Sequence, residues 1–411
     1  MEVHGVTPET LAGILDSLGE RTTMGSSFGI FGLKHYSVDI AMPRREQATG
    51  RGHRDFAVFV DPFLGTQKAA LRRDFTINAL MEDVLTGQIV DPFGGREDLS
   101  RRTLRHVNSQ SFGEDPLRVL RAAQFAARFG YTVAEQTRAL CAEMDLTALA
   151  RERVFGELEK ALLKAPRPSV FFEELRRMGQ LGYWFGEVEG LIGVPQEPRF
   201  HPEGDVWNHT MLVLDEAAKL REQAKEPLEL MLAALCHDLG KQTTTQTIDG
   251  RLRSLGHEEA GVPLTQKLLS RLTSEKKLHH HVENLVLLHM RPNILSAQHS
   301  GRKSFCRLFD ESVCPEDLLL LAKADALGRG IHQDYGPTQT HLRQMLSEFR
   351  EIMSRPYVQG ADLIEAGFEP QKDFSEALSL AHKLRLAGVN KDDALRQTAA
   401  FLRKERKSSG I

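Results

Sequence analysis

The sequence predicts an α/β head followed by an all-helical remainder. Three observations carry that expectation. Before residue 110, short strand-forming runs alternate with glycine-bearing loops: Val38-Asp39-Ile40-Ala41-Met42 and Phe56-Ala57-Val58-Phe59-Val60 read as strands, with Gly50, Gly52 and Gly65 in the loops. From Asp115 onward the pattern turns helical and stays so. Pro195, Pro198 and Pro202 then cluster ahead of a histidine-rich stretch, after an earlier break at Pro166 to Pro168. At 411 residues the chain is too long for one ordinary core. The expected divisions are a head over 1–110, a helical neck and body over 111–200, a third module over 201–335 and a helical tail over 336–411.

Composition narrows the partners. A hydrophobic content of 41% and a charged content of 27% fit a soluble globular protein. No apolar run is long enough to span a bilayer, and no signal-peptide pattern opens the sequence. Cys141, Cys236, Cys306 and Cys314 are scattered without a CxxC pair, which points to reduced thiols and a cytoplasmic location. The net charge of -3 means that an RNA partner must be held by local basic patches. Arg128 and Arg153 are candidates for such phosphate contacts, and the closing Arg403-Lys404-Glu405-Arg406-Lys407 is either a solvated end or a weak RNA contact.

Taken in chain order, the first chemical candidate is Asp39. It alternates with apolar neighbours on its strand, so it is either an exposed strand charge or a carboxylate presented for chemistry. Next comes Arg72-Arg73-Asp74-Phe75-Thr76-Ile77-Asn78. Arginines clamp a triphosphate through charge-assisted hydrogen bonds, and an aspartate can accept from a ribose hydroxyl. In Glu114-Asp115-Pro116-Leu117-Arg118-Val119-Leu120-Arg121, Asp115 suits a helix N-cap and Pro116 its first turn. Asp115, Arg118 and Arg121 are three apart and line one helix face. A carboxylate beside a guanidinium reads a base edge: the carboxylate accepts from the exocyclic amine of C or A, and the guanidinium donates to the adjacent ring nitrogen. Uracil and guanine offer a carbonyl where the amine should be and are rejected. Capping and reading are compatible roles for Asp115.

A second chemistry stands at Leu235-Cys236-His237-Asp238-Leu239-Gly240-Lys241. Imidazole mixed with carboxylate suits a transition metal better than Mg²⁺. Gly240 gives the turn room, and Lys241 can neutralise phosphate charge. His279-His280-His281 is expected on a solvated helix face.

The run from Arg72 through Ala79 and Leu80, with Asp91-Pro92-Phe93-Gly94-Gly95 and Glu114 to Arg121 behind it, resembles the class II tRNA nucleotidyltransferases, the CCA-adding family related to bacterial poly(A) polymerases. The resemblance implies a nucleotidyltransferase head acting on CTP, ATP and the acceptor end of tRNA. It implies Arg72 and Arg73 at the phosphates, Asp74 at the ribose, Asn78 as polar support, Asp115 and Arg118 as base readers, and Arg121 near the phosphates. It further implies two-metal transfer with Mg²⁺ held by carboxylates, Asp39 matching the third of these. The stretch from about Arg45 to Ala69 matches the family's flexible loop in position. Gly360 to Phe368 matches its C-terminal helix pair, with Ala361 where a lysine is usual.

The Cys236 to Lys241 run resembles the HD-domain metal phosphohydrolases. In that pattern His209, His237, Asp238 and Asp325 converge on one divalent ion such as Mn²⁺, Ni²⁺, Fe²⁺ or Zn²⁺. His257 and His289 complete a second site, unless His289 is an ordinary core histidine. The implied substrates are 2′,3′-cyclic phosphates and 2′-nucleotides.

One departure stands out. The family's Gly-Gly-x-Val-Arg-Asp turn and Asp-x-Asp are absent, and Met1-Glu2-Val3-His4-Gly5 resembles the stretch directly after them. Roughly thirty residues, one strand–turn–helix unit, would hold the missing part. The head is therefore expected to be N-terminally truncated, with a bare sheet edge and severely impaired polymerisation. A start set at an internal Met and a true remnant both remain open. So do two alternative functions: an HD hydrolase with an inactive head, and a non-catalytic tRNA- or nucleotide-binding protein. The residues do not separate CCA from CC-only, A-only or poly(A) addition.

Overall fold

The computed structural model describes residues 1–23, 30–48, 56–330 and 334–408. Gly50 and Gly52, the middle of the expected 45–69 loop, and residues 409–410 of the tail lie outside the described residues. The chain forms two compact units, Met1–Glu189 with Arg271–Thr273, and Gly190–Ser270 with Ser274–Ile411.

The first unit opens with a three-stranded antiparallel sheet, Arg21–Thr23, Ile30–Leu33 and Asp39–Ala41, with Asp39 opposite Gly32. The edge expected to be bare is bonded along Met1 to Val3: the Val3 amide donates to Ala41 O at 2.8 Å, and the Ala41 amide to Met1 O at 2.9 Å. The helix Pro8–Leu18 starts at a Thr7 cap and lays Leu11 and Leu15 on Phe31, Ile40 and Met42. Arg44–Ala48 and Phe56–Val60 pair as an antiparallel hairpin.

Behind this sheet the helix Leu117–Phe129 is the spine of the unit. Val119, Leu120, Ala122, Ala123, Ala126 and Ala127 are all buried in it, and their small side chains let the helices Arg151–Lys164 and Ser169–Arg177 pack closely. It ends at Gly130, whose φ of 66° is the left-handed conformation that glycine adopts without strain.

The second unit is helical around Val206–Leu220, Pro227–Cys236, Lys276–Leu288 and Pro315–Leu327. The helical remainder of the chain also carries small strand pairs that the sequence reading did not place: Thr103–Leu104 beside Thr132–Val133, and Gln246–Ile248 with Arg251–Arg253. At the C-terminal end, Leu363, Ala377, Ala381 and Leu402 join the helices Gly360–Glu365, Asp373–Leu386 and Lys391–Ser408 through a small core.

The histidine triplet corrects an expectation. His281 is only 4% exposed, because it falls three residues after Leu278 and four before Leu285 in the inward stripe of its helix. All four cysteines are buried and free of disulfides. Among the described residues no helix is long and apolar enough to cross a membrane.

Candidate functional site

In the first unit, the spine helix and the Arg72 turn bring most of the expected nucleotide residues together. Asp74 is the hub. Its Oδ1 accepts from the Phe75 amide at 2.8 Å and from Asn78 Nδ2 at 2.9 Å. Its Oδ2 accepts from Arg121 Nε at 2.8 Å and lies 2.6 Å from Arg121 Nη2. A carboxylate has about four acceptor directions. All of them are taken, so a ribose hydroxyl reaches Asp74 only by displacing one Arg121 donor.

Arg118 does not pair with Asp115. Its Nη1 donates to Ser111 O at 2.6 Å and its Nη2 to Arg72 O at 2.5 Å. The guanidinium is thereby locked to two backbone carbonyls and lies over the Phe112 ring. Asp115 accepts instead from Arg153 Nη2, at 2.9 Å and 3.2 Å, while its Oδ1 caps the Leu117 amide at 3.2 Å. Arg153, expected at a tRNA phosphate, is thus the partner of the base-reading carboxylate. Arg128 lies over the ring of Phe129. Arg72 and Arg73 both face Glu2 Oε2, at 3.7 Å and 3.4 Å.

Asp39 stands apart from this group. It is exposed at the start of its strand, and among the described residues it joins no set of three potential metal ligands. A single exposed carboxylate does not hold two ions.

The second unit brings all six expected metal ligands into one buried cluster. His209 comes from Val206–Leu220, His237 and Asp238 from the end of Pro227–Cys236, His257 from the start of His257–Leu272, His289 from the end of Lys276–Leu288, and Asp325 from Pro315–Leu327. They form two triads, His209 with His237 and Asp325, and Asp238 with His257 and His289. Asp238 joins them: its Oδ2 is 3.2 Å from His237 Nε2 and 3.6 Å from His209 Nε2, and its Oδ1 is 3.3 Å from His257 Nε2 and 3.9 Å from His289 Nε2.

Every imidazole is oriented from behind. Nδ1 of His237 bonds Ala234 O at 2.9 Å, that of His257 bonds Ser254 O at 2.8 Å, and that of His289 bonds Val286 O at 2.6 Å. Nδ1 of His209 bonds Glu203 Oε1 at 2.8 Å. A carbonyl or carboxylate can only accept, so each ring donates from Nδ1; the Nε2 atoms of His237, His257 and His289 face the centre, while Nε2 of His209 also bonds Asp325 Oδ1 at 3.1 Å. The Nε2 atoms of His237, His257 and His289 are buried without a hydrogen-bond partner. Orphaned lone pairs aimed at one point fit a divalent cation.

The electrostatics agree. Burial pushes His289 down to about 3, helped by neighbouring His237 and His257, so it stays neutral. Burial disfavours the charge on Asp238, yet His237 and Lys241 outweigh it and hold the carboxyl well below its usual range. Asp325 is likewise lowered, as the His209 hydrogen bond and Arg329 overcome burial. Burial opposes protonation of His209, but its bonds to Asp325 and Glu203 raise it.

Lys241 Nζ sits 2.7 Å from Asp238 Oδ2 and 2.9 Å from Gln196 Oε1. Gly240 has φ -65°, so its role is steric rather than conformational. A Cβ there would lie 2.0 Å from His257 O and 2.6 Å from Gly261 N. The close approach of the two backbones sets the His257 ring beside Asp238.

Sequence reasoning missed three residues. Glu203 accepts from both His209 and His201, each at 2.8 Å, and is lowered to about 2 by those bonds despite burial. Arg329 lies one turn after Asp325, at 3.4 Å from its Oδ2. His201 and Arg329 line the pocket over the cluster with Lys241 and His257. His201-Pro202-Glu203 stood in the proline-rich boundary, where only the prolines were read.

Comparison with known proteins matches two domain families. Residues 7–105 match the Poly A polymerase head domain and residues 206–330 the HD domain. A multifunctional CCA protein of Alkalilimnicola ehrlichii is 36% identical over 90% of this chain and 88% of its own length. One of Pasteurella multocida is 38% identical over 90% and 87%. Among solved structures, the fold is similar to the CCA-adding enzyme of Bacillus stearothermophilus in complex with CTP, with a TM-score of 0.64 at 20% identity over 98% of this chain and 88% of that one. It is also similar to that of Thermotoga maritima complexed with tRNA, with a TM-score of 0.60 at 16% identity over 98% and 86%.

Proposed function

The chain belongs to the family of multifunctional CCA proteins, and from that premise we infer two chemistries on two separate sites. It is a tRNA nucleotidyltransferase that adds C and A to tRNA 3′ ends from CTP and ATP, and it carries an HD domain. The observation that carries this is identity of 36% to 38% with multifunctional CCA proteins over nine-tenths of the chain. We assign residues 1–110 to the transferase head, 111–200 to neck and body, 201–335 to the HD domain and 336–411 to the tail.

In the head, Arg118 is the pre-set reader. Two carbonyls fix its plane, so its orientation toward the ring nitrogen of C or A is set without reorganisation. Asp115, steered by Arg153, accepts the exocyclic amine. Arg72 and Arg73 clamp the triphosphate, and their approach to Glu2 gives way to it. Asp39 is the candidate carboxylate for Mg²⁺.

In the HD domain, His209, His237, Asp238, His257, His289 and Asp325 hold divalent transition metal, with Asp238 shared between the two triads. When bound, such an ion activates water and polarises a phosphoryl oxygen. The chain itself fixes the four ring orientations, excludes bulk water by burial, and places Arg329, His201 and Lys241 about the pocket where a phosphate anion would lie. The proposed substrates are 2′,3′-cyclic phosphates and 2′-nucleotides. The free thiols support a cytoplasmic setting.

The test uses the full chain with tRNA lacking its CCA end and labelled CTP and ATP. Incorporation of C and then A, with UTP and GTP rejected, is expected and would set aside the impairment that the absent Asp-x-Asp predicts; no incorporation by folded protein overturns the transferase reading. Hydrolysis of a 2′,3′-cyclic nucleotide should vanish in His237→Ala while incorporation persists. Hydrolysis that survives this substitution overturns the HD assignment.

A further inference from the structure

We propose that His281, Cys314 and Asp317 form an additional metal site, distinct from the six-ligand cluster, for a tetrahedral transition ion of the Zn²⁺ type. Their ligand atoms all lie within 4.8 Å of one another, and the three residues are 4%, 8% and 0% exposed. Cys314 and Asp317 are three apart at the start of Pro315–Leu327, which puts them on one face of one turn. His281 reaches them from Lys276–Leu288.

The strongest sign is His281 itself. Its Nε2 is buried without a hydrogen-bond partner and lies 3.9 Å from Asp317 Oδ2, too far for a hydrogen bond. A buried lone pair with no donor costs free energy that a cation would recover.

Asp317 makes the same argument from the anionic side. It is fully buried, and among the described residues no lysine or arginine pairs with it. Its two oxygens accept only the amides of Lys225 at 2.8 Å and Glu226 at 3.0 Å. Each oxygen keeps a further lone pair. Carboxylates gather here: burial raises the Glu229 carboxyl, Glu226 and Glu275 raise it further, and His281 lowers it. An imidazole among carboxylates is where a cation gains most.

The Cys314 thiol donates a long bond to Glu316 Oε2 at 3.8 Å, and burial pushes it up to about 11. A metal ion would take it as thiolate, exchanging its proton for the ion. The set of one nitrogen, one sulfur and one oxygen donor suits Zn²⁺, with water in the fourth position. Ligand atoms around tetrahedral zinc sit about 3.5 Å apart, given bond lengths of about 2.0 to 2.3 Å. Closure from the present spacing needs movement of about 1 Å or less, which side-chain rotation supplies. The ion would tie Lys276–Leu288 to the start of Pro315–Leu327. Through the Asp317 bonds it would also brace the start of Pro227–Cys236, the helix that leads into His237 and Asp238.

The experiment loads chelator-stripped full-length protein with Co²⁺ and records the thiolate-to-cobalt charge-transfer band. The band should appear in the wild type and in His237→Ala, disappear in Cys314→Ser, and need at least tenfold more Co²⁺ in His281→Gln. Bound zinc should fall by one per chain in Cys314→Ser. If that variant does not fold, His281→Gln decides. A wild type without the band at saturating Co²⁺, a band that survives Cys314→Ser (and so belongs to another cysteine such as Cys236), or unchanged affinity in His281→Gln overturns the proposal.

Discussion

Replacing Lys241 by methionine tests how the buried HD cluster balances its charge. Lys241 Nζ lies 2.7 Å from Asp238 Oδ2, and the two side chains are 11% and 2% exposed. Removing one partner of such a buried pair costs about 3–5 kcal/mol, because the remaining charge stays in a poor solvent. In metal-free protein His237 and His257 still face Asp238, so the loss should sit near the low end, about 3 kcal/mol. With metal bound, the ion neutralises Asp238 and the loss should shrink to about 1 kcal/mol. Linkage makes the difference of about 2 kcal/mol appear as metal binding tightened by more than tenfold. The chain has two tryptophans, so Trp184→Phe leaves the buried Trp207, two residues from His209, as sole reporter. Denaturant unfolding would be followed by its fluorescence, in chelator and in Mn²⁺, with and without Lys241→Met. An equal loss in both conditions, with unchanged metal affinity, would show that Lys241 and metal do not compete for Asp238, and the reasoning would fail.

Four further outcomes are expected. Arg118→Ala removes a charged donor worth about 1.5–3 kcal/mol, so kcat/KM for CTP and ATP should fall roughly 10- to 200-fold, and Arg118→Lys should not restore it because the fork is lost. Glu203→Gln should lower cyclic-nucleotide hydrolysis about 10- to 100-fold through His209, leaving CCA addition intact. His289 is depressed to about 3 in the fold against about 6.5 unfolded, so between those values the unfolded chain binds the extra proton and metal-free stability rises with pH. Urea titrations of His289→Leu should show a shallower fall from pH 6.5 downward than the wild type. Gly240→Ala should cost about 3 kcal/mol by calorimetry and abolish hydrolysis, because its Cβ meets backbone rather than a movable side chain.

What the sequence made legible follows from range. Asp115 as a helix start and the strand at Phe56–Val60 are local, and each was readable from its neighbours. The six HD ligands were readable only because a resemblance joined residues as far apart as His209 and Asp325. Partnership across the chain was not readable at all. Spacing puts Asp115 and Arg118 on one helix face, but it says nothing of the Arg153 fork that takes Asp115 from another helix. Nor does it reveal the Ser111 and Arg72 carbonyls that claim Arg118. His281 is the opposite case. Its place between Leu278 and Leu285 was in the sequence, yet three consecutive histidines looked like a polar face and hid the stripe.

The two sites solve one physical problem in opposite ways. The nucleotide pocket has its acids and bases cross-paired: Asp74 on Arg121, Asp115 on Arg153. Those arginines are each 30% exposed, so water screens the pairs and an incoming nucleotide can exchange partners at little cost. The HD cluster lies almost wholly out of solvent, and exchange there would strand a charge. Its rings are therefore fixed from behind by Ala234, Ser254, Val286 and Glu203, and those of His237, His257 and His289 are left unpaired in front. Asp238 and Asp325 both hold charge against burial, with Lys241 and Arg329 as their close cations. A permanent cation is the one partner that satisfies both carboxylates and all four imidazoles together. Reversible pairing suits a site that must discriminate between two nucleotides, and fixed pairing suits one that must keep its metal.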